Sequence, residues 1–218
     1  MEKLRHFLLN LLFPIECLNC QAEGEYLCTN CFRQLSFNDL AASKQATANL
    51  KIPTLEKVFI AGNYEDKLLQ KLIKKYKYHF MKPLGEILAR FLITFWHFQN
   101  EVPADLLIIP LPLTAKRLRW RGFNQAEVIA RYFSQHFSYE LCLDLKRTGK
   151  QAAQADLDES DRLENIKNVF HWSGKNLEGK NILLIDDVIT TGATINEAAK
   201  TLKQAGAGAI YGLVLAKG

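Results

Sequence analysis

The run "NILLIDDVITTGATINEA", residues 181–198, constrains the fold more than any other stretch of the chain. Apolar residues Ile182 to Ile185 lead into Asp186 and Asp187, an uncharged turn follows, and a helical pattern then continues to a stop signal at Gly206. An unbroken apolar strand is buried on both faces and belongs inside a parallel sheet. A strand that passes so quickly into an amphipathic helix is one half of a β–α crossover. The same alternation runs along most of the chain. "KVFIAGNY", "DLLIIPLPL", "YELCLDL", "NILLID" and "AIYGLVLA" read as strands. "DKLLQKLIKKY", "PLGEILARFLITFWHF" (opened by Pro83), "FNQAEVIARYFSQHF" and "ATINEAAKTLKQAG" read as helices, and "DRLENIKNVF" as a short helix or turn. The expected class is α/β, a mainly parallel sheet flanked by helices, with ligands at the carboxyl ends of its strands. Asp186–Asp187 and Pro110–Thr114 lie at such ends.

Before this pattern begins, "CLNCQAEGEYLCTNC" sets Cys17, Cys20, Cys28 and Cys31 as two C-x-x-C pairs. Two such pairs facing each other make the tetrahedral thiolate cage that Zn²⁺ prefers, and Gly24 helps the chain reverse between them. Disulfides are the rival reading, which a reducing compartment opposes. With all four positions filled by protein, the zinc is structural. Cys142, alone in an apolar run, reads as core. "QLSFNDLAASKQATANLKIP" reads as a tether, so a small zinc module with its linker spans residues 1–50 and the α/β domain residues 51–218.

"LRHFLLNLLFP" is too short for a bilayer span and lacks the small-residue cleavage site of a secretory signal, so the expected location is cytoplasmic, with no membrane span. The net charge of +5 is concentrated in the middle: residues 51–150 carry 17 basic and 9 acidic side chains. That bias points to a polyanion or phosphorylated ligand, or to a solvated lysine-rich surface.

The chemistry of the opening run divides in two. Carboxylates at 186 and 187 can accept hydrogen bonds from neighbouring hydroxyls on one sugar face, or hold Mg²⁺. Thr190, Thr191, Gly192, Ala193 and Thr194 wrap into a helix N-terminus, where free N–H groups and the helix dipole suit a phosphate. Two rivals exist. The magnesium strand of P-loop ATPases needs G-x-x-x-x-G-K-[ST] upstream, and "TGKQ" and "SGKN" lack its hydroxyl. An ordinary strand end with a capped helix explains Thr and Asp, but not the whole string.

This run resembles the phosphoribosyl pyrophosphate (PRPP) signature of type I phosphoribosyltransferases. With the cysteine pairs, "KYKYHF", "PLPLTAKRLRWRGFNQA", "KRTGKQAAQADLDESDRLENIKNVF" and "LLIDDVITTGATINEA", nearly the whole chain resembles the ComF (GntX-like) family of competence proteins. The resemblance implies a type I phosphoribosyltransferase-like fold. It implies that Asp186 and Asp187, the candidate catalytic residues, bind the ribose 2′- and 3′-hydroxyls, and that Thr190, Thr191, Gly192, Ala193 and Thr194 hold the 5′-phosphate. Lys116, Arg117, Arg119, Arg121, Asn124 and Gln125 correspond to the pyrophosphate region. Arg147, Thr148, Gln151, Arg162 and Asn165 match a mobile segment near the ligand, and Mg²⁺ accompanies PRPP. Chemistry, if any, is displacement at the anomeric carbon through an oxocarbenium-like transition state, with an acceptor that no motif identifies.

Two functions follow: a PRPP-dependent phosphoribosyltransferase supporting DNA uptake in natural transformation, or a non-catalytic PRPP-sensing adaptor that binds single-stranded DNA. Residues 67–82 bear on the second. Lys74, Lys75 and Lys77, among aromatic neighbours, can neutralise phosphates while rings stack on bases, and a lysine-faced amphipathic helix is the plainer explanation. A competence helicase as partner is implied by the resemblance alone. A PRPP-sensing transcriptional regulator would need a helix-turn-helix, and the sequence presents none that is recognisable.

Overall fold

In the computed structural model, which describes residues 14–99, 102–148 and 169–218, the sheet is built from β1 (Lys57–Asn63), β2 (Leu107–Pro110), β3 (Glu140–Leu141), β6 (Ile182–Ile189) and β7 (Ile210–Lys217). Their order is β1-β7-β6-β2-β3 and every pairing is parallel. β6 and β7 occupy the middle because Ile182–Ile185 and Leu213–Ala216 are apolar runs, as burial on both faces requires. Alternate residues of each strand serve different cores. Phe59, Ile108, Leu183, Ile185 and Leu213 face one layer, and Val58, Ile60, Ile109, Leu184 and Val214 the other.

The first layer holds α3 (Lys67–Tyr78), α4 (Leu84–Trp96) and α6 (Gln125–Phe137). Each has an apolar face at helical spacing: Leu69, Leu72, Ile73 and Tyr76 of α3 are all fully buried. Asp66 caps α3 by accepting from the N–H groups of Leu68 and Leu69. The second layer holds α7 (Ala193–Gln204), whose Ile195, Ala198, Ala199 and Leu202 cover β6 and β7. A left-handed Gly206 turns the chain from α7 toward β7, as its stop signal predicts.

Three expectations change. "YELCLDL" is not one strand. After β3, Cys142 makes one more bond to Ile108, and the chain then leaves the sheet, so that β4 (Leu145–Arg147) pairs antiparallel with β5 (Phe170–Trp172). "KRLRWR" forms part of a short helix, α5 (Ala115–Arg121), opened by Thr114 and closed by a left-handed Gly122. The stretch read as a tether contains α2 (Leu40–Thr47), capped by Asp39. Its flanks are also bonded into the body: Asn38 donates to the carbonyls of Ile60 and Ala61, and the Lys51 N–H to that of Thr191. "DRLENIKNVF" lies almost wholly outside the described residues.

The cysteine segment folds against the first layer. Cys17, Leu27, Cys31 and Leu35 are buried in the same core as α3 and α4. Cys17–Cys20 sits in a tight turn stitched by Gln21 N–H to Cys17 O, and Cys28 caps the one-turn helix α1 (Thr29–Phe32), which carries Cys31. Among the described residues no helix is long and apolar enough to cross a membrane.

Candidate functional site

β2 ends in register with Ile185, whereas β6 runs on to Ile189 with only β7 beside it. Asp186 and Asp187 therefore sit within the strand, not beyond its end, on the part that overhangs its neighbour. An overhang at the carboxyl end opens a crevice in which side chains can meet a ligand. Asp186 Oδ1 accepts the Asp187 N–H at 2.8 Å, and Asp187 Oδ1 the Val188 N–H at 2.6 Å. These bonds fix the carboxylates before any ligand arrives.

α3 contributes a side chain that periodicity assigned elsewhere. The Lys77 ammonium lies 2.8 Å from Asp187 Oδ1, with both side chains largely withdrawn from water at 17% and 10% exposure. Lys77 thus belongs to this crevice, while Lys74 donates to Gln70 on an exposed face and Lys75 is half-buried. The three lysines do not share one outward surface. Desolvation, with the charge of Asp187 acting in the same direction, raises the Asp186 carboxyl to about 7. The Asp187 N–H, Lys77 and Arg147 pull against that rise. Arg147, at the end of β4, is itself held below its ordinary value by burial and by Arg117, while Asp186 acts in the other direction. Carboxylates from β6 and cations from α3, α5 and β4 therefore share one field.

The turn after β6 completes the arrangement. Asp186, Val188 and residues 189–195 line, with Val214, a cavity of about 50 Å³. Thr190 and Thr191 are exposed, and Gly192 takes φ +82° at the head of α7 with no side-chain cap. Only glycine fits there: a Cβ would lie 2.6 Å from Ile52 Cγ2. Gly192, Ala193 and Thr194 at the start of this twelve-residue helix line that cavity, and a helix N-terminus favours an anion.

Of the other predicted residues, Asn124 caps α6 and also donates to the Leu111 carbonyl. Arg121 Nη1 donates to Gln125 Oε1 at 2.8 Å, yet Arg121 Nε and Gln125 Nε2 are buried and lack partners among the described residues. Two buried, unused donors facing no acceptor fit the oxygens of an anionic ligand. Lys116, Arg117 and Arg119 are exposed on α5. Gln151, Arg162 and Asn165 lie outside the described residues. Tyr76, missed from sequence, donates its hydroxyl to the Gln125 carbonyl, and burial, with the charge of Asp187 acting in the same direction, raises its phenol far above the ordinary range. Cys142 is half-buried against Asp144, and burial raises its thiol, in keeping with an inert side chain.

The four sulfurs of Cys17, Cys20, Cys28 and Cys31 all lie within 4.8 Å of one another, with Cys20 and Cys28 Sγ 3.7 Å apart. A zinc–sulfur distance of about 2.3 Å in a tetrahedron sets sulfurs about 3.8 Å apart. The donor set fits a metal.

Comparison with known proteins agrees with this geometry. Residues 121–217 match the phosphoribosyl transferase domain family. Over 214 residues the chain is 29% identical to competence protein F of Haemophilus influenzae, covering 89% of this chain and 93% of that protein. It is 26% identical over 198 residues to the DNA utilization protein YhgH of Escherichia coli, covering 89% and 85%. A shorter match, 40% over 99 residues, links it to competence protein ComFC of Streptococcus pneumoniae, covering 45% of this chain and 42% of that one. The parallel sheet with its acidic strand end and glycine turn thus accompanies a similarity to phosphoribosyl transferase domains over residues 121–217. The chain that carries it, with its four-cysteine cluster, is a homologue of the competence F, ComFC and YhgH proteins.

Proposed function

We propose that the protein binds PRPP in the crevice beyond β2 and acts in DNA uptake during natural transformation, as the names of its relatives indicate for them. The observation that carries the reading is that Asp186 and the Thr190–Thr194 turn line one cavity, so that a diol and a phosphate on the same sugar have partners within a single ligand's length. Asp186 and Asp187 accept the ribose hydroxyls, the turn and the α7 N-terminus hold the 5′-phosphate, and Arg121, Gln125, Lys116 and Arg117 face the diphosphate. Lys77 joins this set as the cation beside Asp187. Magnesium bound with the diphosphate would neutralise the leaving group, and the two carboxylates are of the type that hold it directly or through water. Zinc fills the cysteine cage as a structural ion, and metal analysis should find one per chain.

If phosphoribosyl transfer occurs, the residues of this chain position the donor and stabilise charge on the departing pyrophosphate. A second reading, a PRPP-sensing adaptor that also binds single-stranded DNA, is favoured by the exposed basic and aromatic surface next to the crevice. Titration calorimetry with PRPP and Mg²⁺ tests the shared premise. Binding should be lost on Asp186→Ala/Asp187→Ala while the fold and the zinc content are kept, and wild-type protein that takes up no PRPP would remove the proposal. Pyrophosphate release with candidate acceptors then separates transferase from sensor.

A further inference from the structure

Away from the crevice and the cysteine cage, two histidines from different helices meet at the surface. His97 follows α4 as its C-cap and His136 lies in the last turn of α6, and their Nε2 atoms stand 3.1 Å apart. The helices that carry them are fixed to each other by the core. Trp96, the chain neighbour of His97, packs edge to face on Phe133, one turn before His136. A single ring orients both imidazoles: the Phe137 centroid lies 5.1 Å from that of His97 and 4.8 Å from that of His136. Phe137 is itself set against Phe133 and Tyr139, at 4.9 and 5.7 Å. Both histidines are exposed. Between neutral rings the contact can be a hydrogen bond, one nitrogen donating and the other accepting. In contact with solvent such a bond gains little, because water serves either ring nearly as well. It leaves the convergence of two separately anchored rings without a cause.

We propose that His97 and His136 together form a site for a first-row transition-metal ion, Ni²⁺, Cu²⁺ or Zn²⁺. Two imidazole nitrogens held at about 2.05 Å from one ion lie about 2.9 Å apart at a right angle and about 3.4 Å apart in a tetrahedron. The 3.1 Å between these two falls inside that range. Neutral imidazole is the donor such ions prefer, whereas Mg²⁺ and Ca²⁺ take oxygen. The site is the opposite of the cysteine cage in kind. There four thiolates close the shell. Here, among the described residues, no third imidazole, thiolate or carboxylate joins the pair. His136 borders an open groove of about 490 Å³ between α4 and α6, shared with Glu86, Arg90, Tyr132 and Gln135. Water or an incoming ligand can therefore complete the coordination from that side. An ion held by two protein donors exchanges readily, and while bound it clips the end of α4 to the end of α6. The inference goes beyond the binding of PRPP and does not depend on it.

The test is equilibrium dialysis of the full-length, tag-free protein against Ni²⁺, followed by metal analysis, with thermal unfolding run in parallel. Wild-type protein should take up one nickel per chain while its zinc content stays unchanged. At nickel about a hundred times its Kd, Tm should rise by about 5–10 °C. His97→Ala/His136→Ala should abolish both the uptake and the rise, and, because both side chains are exposed, should leave the far-ultraviolet circular dichroism as it was. His136→Gln separates the two explanations of the contact: glutamine keeps a hydrogen-bonding partner for His97 but is a poor ligand for these ions. That variant should unfold like wild type without nickel and bind nickel at least about tenfold more weakly. The proposal is overturned if wild-type protein takes up no nickel, in which case the pair is a hydrogen bond only. It is overturned as well if uptake is matched by loss of zinc, or if either variant binds nickel as wild type does.

Discussion

Replacing Asp186 by asparagine should make the protein more stable, by an amount that grows from about pH 4 and is complete above about pH 7. In the folded chain this carboxyl is raised from about 3.8 to about 7 by desolvation and by its neighbour Asp187. Between those values the folded state holds a proton that the unfolded chain has released. Stability therefore falls as pH rises from about 4 to about 7, and stays low above that. A difference of about three pH units corresponds to about 4 kcal/mol at about 1.4 kcal/mol per unit. Asparagine keeps the size and the acceptor for the Asp187 N–H but cannot ionise. Its advantage should be near zero at pH 4 and about 2–4 kcal/mol at pH 8, or about 5–15 °C in Tm for a chain of this length. The assay is urea unfolding of both proteins in magnesium-free buffer from pH 4 to 8, read as the difference between them, so that other titrating groups cancel. A difference that does not grow with pH, or a variant less stable at pH 8, would refute the reasoning. The same substitution should abolish PRPP uptake, because the charge that costs stability is the one that accepts the ribose hydroxyls.

Two further outcomes follow from the site. Gly192→Ala should cost about 1–3 kcal/mol and weaken PRPP binding, because its Cβ strikes Ile52 at φ +82°. Gly179→Ala, at φ +78° with nothing within 4 Å, isolates the backbone part and should cost less, as denaturant titration of both would measure. Lys77→Met leaves Asp187 withdrawn from water without its cation, and should lower stability at pH 8 by about 1–3 kcal/mol. Lys77→Arg should restore most of that loss in the same assay.

The parallel sheet was legible because β6 opens on four consecutive apolar residues, β7 is apolar over most of its length, and each passes directly to or from a patterned helix. The glycine turn into a helix was legible as well, since Gly192 stands between threonines at the start of an amphipathic run. Helix α5 was not: seven residues with no buried face leave no periodicity to detect. The brevity of β3 was hidden because "YELCLDL" alternates well enough for a strand, while its departure from the sheet is set by β5, which comes much later in the chain. The pairing of Lys77 with Asp187 was not read from the sequence, although a signal existed. It lies four residues after the buried Ile73, hence on the inward edge of the α3 stripe, where a lysine needs a partner from another element. That partner, Asp187, is 110 residues away, beyond the reach of any local pattern.

Residues 50–54 touch the glycine turn from outside: Lys51 bonds Thr191, Ile52 packs on Gly192, and the Thr54 N–H is received by Asn196. Whatever force reaches the cysteine cage or α2 is carried along the chain to this strut, and so to the turn proposed to hold a phosphate. Trimming the protein back to β1 would take the strut away, and the shortened chain should keep its sheet while the proposed hold on a sugar phosphate slackens.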